Sequence, residues 1–443
     1  MTRQTMMSQR DRQILGIALP AIVTNITVPL LGLVDTAIVG HMGSAAYIGA
    51  VAVGSMIFNL IYWLFAFLRM GTSGITAQAR GRRDFAEAAN MLMRSGAVSA
   101  GISLLILLLQ WPLRELMLWF IAPTADVRPL AATYFDIVVW GAPAVLGLYA
   151  LSGWLVGMQN TRLPMLISIM QNVVNIVASV AMVYGLGMKV EGVAIGTLVA
   201  QYVGLAVAAA GLWRYYGKLL VRGQRPEVRG KRSEVRVGKI WHTYRDIFLR
   251  TLCLVAVNLY FTAAGARQGA VVLAVNTLLM QLYLLFSYVM DGFAYAGEAI
   301  GGRYWGARNR EAYRDTVRRL FGWGAVMTVL FTTVYVFGGV PFLHLLTDEP
   351  SVAEAARTYV GWAYLIPVAG VAAFVWDGLF IGTTQTRGML VSSALSAAVF
   401  FGVAVATLGP WGNHGLWLAM TLYLAMRGVV QTVWHFATGL QKT

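Results

Sequence analysis

The stretch Leu31 to Gly43 reads LGLVDTAIVGHMG, and it sets the terms for the rest of the chain. Asp35 lies near the end of an apolar segment that begins around Ile14 and carries no other charge. An ionised carboxylate inside a membrane helix costs about 2.5–3.5 kcal/mol on insertion scales, so it needs a partner, a water-filled cavity or a proton. Pro20 and Pro29 lie upstream in the same segment, and each frees a backbone carbonyl and invites a bend. A proline-interrupted helix that leads to a lone acid reads as a moving element with an ion site. The alternative is an acid paired with a neighbouring helix for packing.

The composition around that stretch defines an integral membrane protein. The chain has 443 residues, 58% hydrophobic and only 12% charged, whereas soluble domains carry about 25% charged residues. A net charge of +15 raises the question of nucleic acid. The basic residues, however, sit in short loops between apolar runs, which is a topology signal. No nucleic-acid partner is expected. The single cysteine, Cys253, rules out an intramolecular disulfide. The N-terminus, MTRQTMMSQRDRQ, precedes an apolar run too long for a signal-peptide core, so the first span is expected to stay in the mature protein.

Apolar runs of about 20 residues number twelve. The first six lie near 14–39, 45–75, 90–119, 130–157, 163–187 and 192–215, and the second six near 246–265, 270–300, 316–343, 356–382, 388–408 and 414–437. The chain is therefore expected to be an all-α membrane protein with an N-terminal lobe (1–215), a basic linker (216–245) and a C-terminal lobe (246–443). Nine Lys/Arg between Lys218 and Arg245 place the linker in the cytoplasm. The loops with Arg80, Arg82 and Arg83, and with Arg303, Arg308 and Arg310, fall on the same side. The opposite loops, at His41 to Ser44 and at Asp348 to Glu354, are poor in basic residues. Both termini are then cytoplasmic.

An internal repeat joins the two lobes. Gly81-Arg-Arg-Asp84 recurs as Gly306-Ala-Arg-Asn309, 225 positions later. Gly153-Trp-Leu-Val-Gly157 with Thr161-Arg162 recurs as Gly378-Leu-Phe-Ile-Gly382 with Thr386-Arg387 at the same offset, and Pro143 and Pro367 fall near matching positions. One GxxxG is weak evidence because small residues commonly pack membrane helices. Two matches at one offset are strong. An even number of crossings separates the copies, so they share orientation, as in parallel-repeat transporters with a cavity between the halves.

No soluble catalytic apparatus is present: there is no G-x-x-x-x-G-K-[ST] and no H-E-x-x-H. Neither an enzyme nor a metal site is expected, and transport would draw on an ion gradient. In the fifth span Ser168, Gln171, Asn172, Asn175 and Ser179 share one helical face, and Thr197 and Gln201 do so in the sixth. Asp35, Asn175, Ser179 and Thr197 fall in the outer half of their helices, which allows a shared ion cavity; a polar seam that only joins helices is the alternative. In the C-terminal half Asp291 and Glu298 are seven apart on one face, and Asp377 precedes its GxxxG. Arg250, near the start of the seventh span, is an expected partner for one of these acids; structural pairing is the leading reading of Asp291 and Glu298 and one of two readings of Asp377. For a cytoplasmic gate, Arg69 is expected to pair with Asp291 between lobes, supported by Arg250 with Glu298 inside the C-lobe. The alternative is that Arg69 snorkels to headgroups.

With these residues in view, the chain resembles the multidrug and toxic compound extrusion (MATE) family over nearly its whole length, and within it the DNA-damage-inducible protein F (DinF) subgroup. The resemblance rests on LVDTAIVGHMG (Leu33 to Gly43), FLRMGTSGITAQARG (Phe67 to Gly81), GWLVGMQNTR (Gly153 to Arg162), DIFLRTL (Asp246 to Leu252), MDGFAYAGEA (Met290 to Ala299) and DGLFIGTTQTR (Asp377 to Arg387). It implies two lobes of six helices, an outward-facing V, and drug efflux driven by H+ or Na+. It also implies an N-lobe ion site at Asp35, Asn175 and Thr197 and a possible C-lobe cation site at Asp377. Family members commonly carry N-x-x-L-D in the fifth span, where this chain has Asn175-Ile-Val-Ala-Ser179, so Ser179 replaces the second acid. The expected function is a secondary antiporter that exports amphipathic or cationic organic compounds against inward H+, with no other cofactor, as a monomer in the bacterial inner membrane. Na+ coupling and a lipid-linked precursor flippase are the alternatives.

Overall fold

A computed structural model describes residues 8–40, 44–223, 237–346 and 349–438. The centre of the basic linker, the loop at His41 and the acid at Asp348 lie outside them. The described residues are helical throughout, because backbone N–H and C=O groups in hydrocarbon find partners only within their own helix. The helices are α1 (Gln9–Gly40), α2 (Ala45–Leu64), α3 (Phe67–Gly81), α4 (Phe85–Leu108), α5 (Gln110–Ile121), α6 (Val127–Val138), α7 (Ala142–Gly157), α8 (Arg162–Val180) and α9 (Val190–Gly223). Then follow α10 (Val237–Arg267), α11 (Ala270–Ala296), α12 (Gly302–Gly306), α13 (Arg310–Leu346), α14 (Pro350–Thr383), α15 (Thr386–Trp411) and α16 (Asn413–Ala437). Among the described residues, eleven stretches are long and apolar enough to cross a membrane. They coincide with the second to twelfth spans read from the sequence. The first span falls on α1, a 32-residue helix that runs unbroken through Pro20 and Pro29.

The chain divides into two compact units, Val23–Val237 and Met1–Ile22 with Gly238–Thr443. The sequence division keeps the whole first span in the N-terminal lobe, whereas the start of α1 groups with the C-terminal unit. Polar contacts explain why. Asp11 accepts from Arg319 Nη1 at 2.7 Å and from Trp323 Nε1 at 3.2 Å, and Arg10 pairs with Asp315, which also takes Arg319 Nε at 3.0 Å. Farther along, Gly292 of α11 lets α1 approach so closely that a Cβ there would sit 2.8 Å from the Ala18 carbonyl oxygen.

The repeat is visible in backbone geometry. Arg83 and Arg308, 225 apart, end their helices with φ of 58° and 55°; Gln159 and Thr384, also 225 apart, do so at 59° and 56°. Each left-handed residue is followed by a backbone bond that closes the helix end: Asp84 N to Ala79 O and Asn309 N to Tyr304 O, then Asn160 N to Leu155 O and Gln385 N to Phe380 O. Asp84 and Asn309 then cap the next helix, taking the N–H of Glu87 and Ala312. The prolines differ. Pro143 opens α7 after a 3-10 turn at Val139–Gly141, while Pro367 lies inside the continuous α14.

The two GxxxG motifs do equivalent work within their own units. A Cβ at Gly153 would fall on the Arg69 carbonyl oxygen of α3, and one at Gly378 on the Ala294 carbonyl oxygen of α11. Gly157 and Gly382 continue the seams, 2.6 Å from the Ser73 oxygen and 2.7 Å from the Glu298 oxygen by the same measure. Side-chain bonds lock the surroundings. Trp154 Nε1 donates to the Ala88 carbonyl at 2.7 Å, and Asn276 and Asn413 exchange amide bonds at 2.8 Å while Asn276 also accepts from Trp417. Gly153→Ala and Gly378→Ala are each expected to lower stability by about 1–3 kcal/mol through overpacking. Gly322→Ala, with nothing within 4 Å, should not. Thermal melting in detergent measures all three.

Candidate functional site

Polar side chains inside the Val23–Val237 unit gather around Asp35. The carboxylate is 3% exposed although α1 carries it in an otherwise apolar segment. α8 presents Asn175 and Ser179, both fully buried, and α9 presents Thr197. Close approach of α8 and α9 depends on small residues: a Cβ at Gly196 would meet Ser179 Oγ, and one at Gly204 would meet the Gln171 amide. Asn175 Nδ2 donates to Thr197 Oγ1 at 3.1 Å, and Thr197 Oγ1 donates to Asp35 Oδ2 at 3.4 Å. α8 also ties to α1 through Asn172 Nδ2, which donates to the Thr27 carbonyl at 2.7 Å.

Asp35 has no cationic partner among the described residues. Its Oδ1, Asn175 Oδ1 and Ser179 Oγ are buried without a hydrogen-bond partner there. A carboxylate of this kind is acceptor-only when ionised and gains a donor when protonated. Three oxygens with open lone pairs can therefore receive a proton, a water or a hard cation. Of the four residues expected at one depth, Asp35, Thr197 and Asn175 are joined by hydrogen bonds, and Ser179 lies beside Gly196. Gln201 faces elsewhere, with its side chain against Gly141. Tyr134 of α6 is a member that sequence reading misses. Its hydroxyl lies near Ser55 and Thr197, and its ring fills the space left by Gly54. A tyrosine in an apolar run gives no signal of that role.

The C-terminal unit treats its acid differently. Asp377 of α14 accepts from Arg250 of α10, from Arg427 Nη2 of α16 at 2.5 Å and from Gln431 Nε2 at 2.6 Å. Two expectations are corrected here. Asp377 as a C-lobe cation site is disfavoured because two guanidinium groups already occupy its carboxylate. Arg250 pairs with Asp377 rather than Glu298, which lies buried in a π turn at Gly297–Gly301. That turn also breaks the simple seven-residue phase between Glu298 and Asp291, whose carboxylate takes a 3.5 Å bond from Ser287. Arg69 and Asp291 belong to different units. Arg427 carried a signal in the sequence, as the one Lys or Arg in the last span, and Gln431 lies one turn beyond it.

Breaking a buried pair by removing one partner costs about 3–5 kcal/mol. Asp377→Ala is therefore expected to lose stability on that scale, since it strands two guanidinium groups. Asp35→Asn, with no cation to strand, should unfold within about 1 kcal/mol of wild type in chemical denaturation.

The family and the fold are those of membrane transporters, not of enzymes. The MatE family is matched by residues 20–181 and 247–407, and the chain belongs to that family. DNA damage-inducible protein F from Escherichia coli (strain K12) is 38% identical over 98% of this chain and 94% of its own length. The probable multidrug resistance protein NorM from Thermotoga maritima is 22% identical over 97% and 93%. A crystal structure of MATE in the bent conformation superposes with a TM-score of 0.87 at 20% identity, covering 98% of this chain and 97% of that one. The chain is accordingly a multi-pass membrane protein of the MATE transporter fold.

Proposed function

We propose that the chain is a proton-coupled antiporter that exports amphipathic, cationic organic compounds. It works as a monomer in a bacterial inner membrane, with both termini in the cytoplasm. The observation that carries this reading is Asp35: a buried carboxylate without a cationic partner, held by Thr197 and beside Asn175. A proton is the ligand that removes the cost of such a charge most simply. Binding H+ from outside and releasing it inside couples the acid to export if a cationic substrate competes for the same charge. The relatives' names, multidrug resistance protein among them, agree with efflux as the direction.

Asp35→Asn is expected to abolish efflux driven by a pH gradient while leaving insertion and stability intact. Proteoliposomes loaded with a fluorescent organic cation, under separately imposed pH and Na+ gradients, provide the measurement. Retained proton-driven efflux in the variant would remove Asp35 from the mechanism.

Na+ coupling is the second reading, favoured by the unpartnered oxygens of Asp35, Asn175 and Ser179, since hard cations take several oxygen ligands. One carboxylate among neutral oxygens suits a proton better than Na+. Ser179→Asp supplies the missing acid and is expected to add Na+ sensitivity to the same efflux assay. Wild-type efflux that follows Na+ at fixed pH and ignores protons would reverse the assignment.

A further inference from the structure

The start of α1 and the first turns of α13 line a cleft of about 840 Å³, and both belong to the same compact unit. That volume lies in the range of small-molecule sites, about 300–1,000 Å³. Five arginines line it, Arg10 from α1 and Arg310, Arg314, Arg318 and Arg319 from α13. Arg310, Arg314 and Arg318 are spaced four residues apart, so they form a stripe on one helix face about 12 Å long.

The acids around the cleft are largely committed. Asp315 takes Arg10 and Arg319, and Asp11, beside the lining, takes Arg319 as well. Glu311 is the third acid. Even without Arg314, which has a further interaction, four arginines face these three carboxylates and leave one positive charge over. Arg310 and Arg318 are exposed and bond no described residue. The cleft also lies where both helices enter hydrocarbon. After Arg12, α1 has no charged residue before Asp35, and after Arg319, α13 has no Asp, Glu, Lys or Arg through Leu346. Lipid phosphates lie at that level, and basic pockets between membrane helices take them. Guanidinium suits a phosphate because it offers two parallel N–H donors. Beyond Arg318 the same face of α13 continues as Gly322, Ala325 and Val329, all apolar and exposed, a course that acyl chains can follow.

We propose that this cleft holds the phosphate headgroup of one anionic phospholipid, with Arg310 and Arg318 as its ligands and Arg314 beside them. A phosphodiester carries one negative charge, which matches the charge left over. The bound lipid then fastens the start of α1 to α13, alongside the Arg10–Asp315 and Asp11–Arg319 pairs. A soluble phosphate offers the same charge but makes no use of the apolar face beyond Arg318.

The test uses the full chain, purified and stripped of lipid in a neutral detergent. Phosphatidylglycerol or phosphatidylcholine with the same acyl chains is added at equal mole fractions. Phosphatidylglycerol is expected to raise Tm saturably, as a ligand of the folded state does, and phosphatidylcholine is not. Arg310→Gln combined with Arg318→Gln should move that response to about tenfold or more higher phosphatidylglycerol, without changing Tm in phosphatidylcholine. Glu311→Gln removes an acid from the lining and should move it the other way. Arg162→Gln combined with Arg387→Gln removes two exposed charges outside the lining and should respond as wild type does. Glycerol phosphate and inorganic phosphate, which lack tails, should give no shift at the same concentrations. A shift from either one would overturn the lipid in favour of a soluble phosphate. Equal Tm in the two lipids would overturn the site, as would an Arg162 and Arg387 variant that loses as much as the Arg310 and Arg318 one. The arginines would then only mark orientation. None of these readouts depends on efflux or on Asp35.

Discussion

Hydrocarbon offers no hydrogen bonds, and that constraint shapes every level of this molecule. Backbone groups must be satisfied along their own helix, which leaves side chains and small-residue contacts to hold helices together. Where two helices meet most closely, glycine supplies the contact: Gly153 and Gly157 against α3, Gly378 and Gly382 against α11 and its π turn. Where polar side chains enter the interior, some turn back to a carbonyl of their own helix, as Thr251 and Ser103 do, and others find a partner on another helix, as the Asn276, Asn413 and Trp417 set does. Buried polar atoms without such a partner include Oδ1 of Asp35, Oδ1 of Asn175 and Oγ of Ser179, side by side in one unit.

The two units solve the problem of a buried carboxylate in contrasting ways. In the Val23–Val237 unit, Asp35 has a neutral donor and unpartnered oxygens around it and no guanidinium among the described residues. In the other unit, Asp377 is fixed by two guanidinium groups and an amide, and its charge is committed. The repeat that built both units preserved the helix ends, with matching left-handed residues at Arg83 and Arg308 and at Gln159 and Thr384. It did not preserve the polar chemistry inside. Backbone closures tolerate little change because each satisfies a helix terminus, whereas interior polar residues diverge as each unit finds its own partners.

α1 links these parts physically. Its first turns are held by Arg319, Trp323 and Asp315 of α13, and its C-terminal part carries Asp35. These ion pairs are partly exposed, which makes them modest in energy and open to exchange. A helix anchored in one unit at its start and carrying an acid of the other near its end, with Pro20 and Pro29 between, joins the two chemistries by a continuous backbone.

The amino-acid sequence by itself determined the membrane class, the positions of the spans, the repeat and the shared helical face of Asn175 and Ser179. Each of these follows from a local rule: a run of about 20 apolar residues, a fixed offset, or a helical spacing read from a loop. Partner choice is not local. That Arg250 takes Asp377 and not Glu298, that Arg427 and Gln431 join them from the last helix, and that Tyr134 reaches Thr197 depends on which helix faces which, and at what rotation. A π turn at Gly297 shifts that rotation without any sign in the hydrophobic pattern. Only tertiary structure decides such pairings, because a side chain inside a bilayer is satisfied by whatever neighbour packing brings within 3 Å of it.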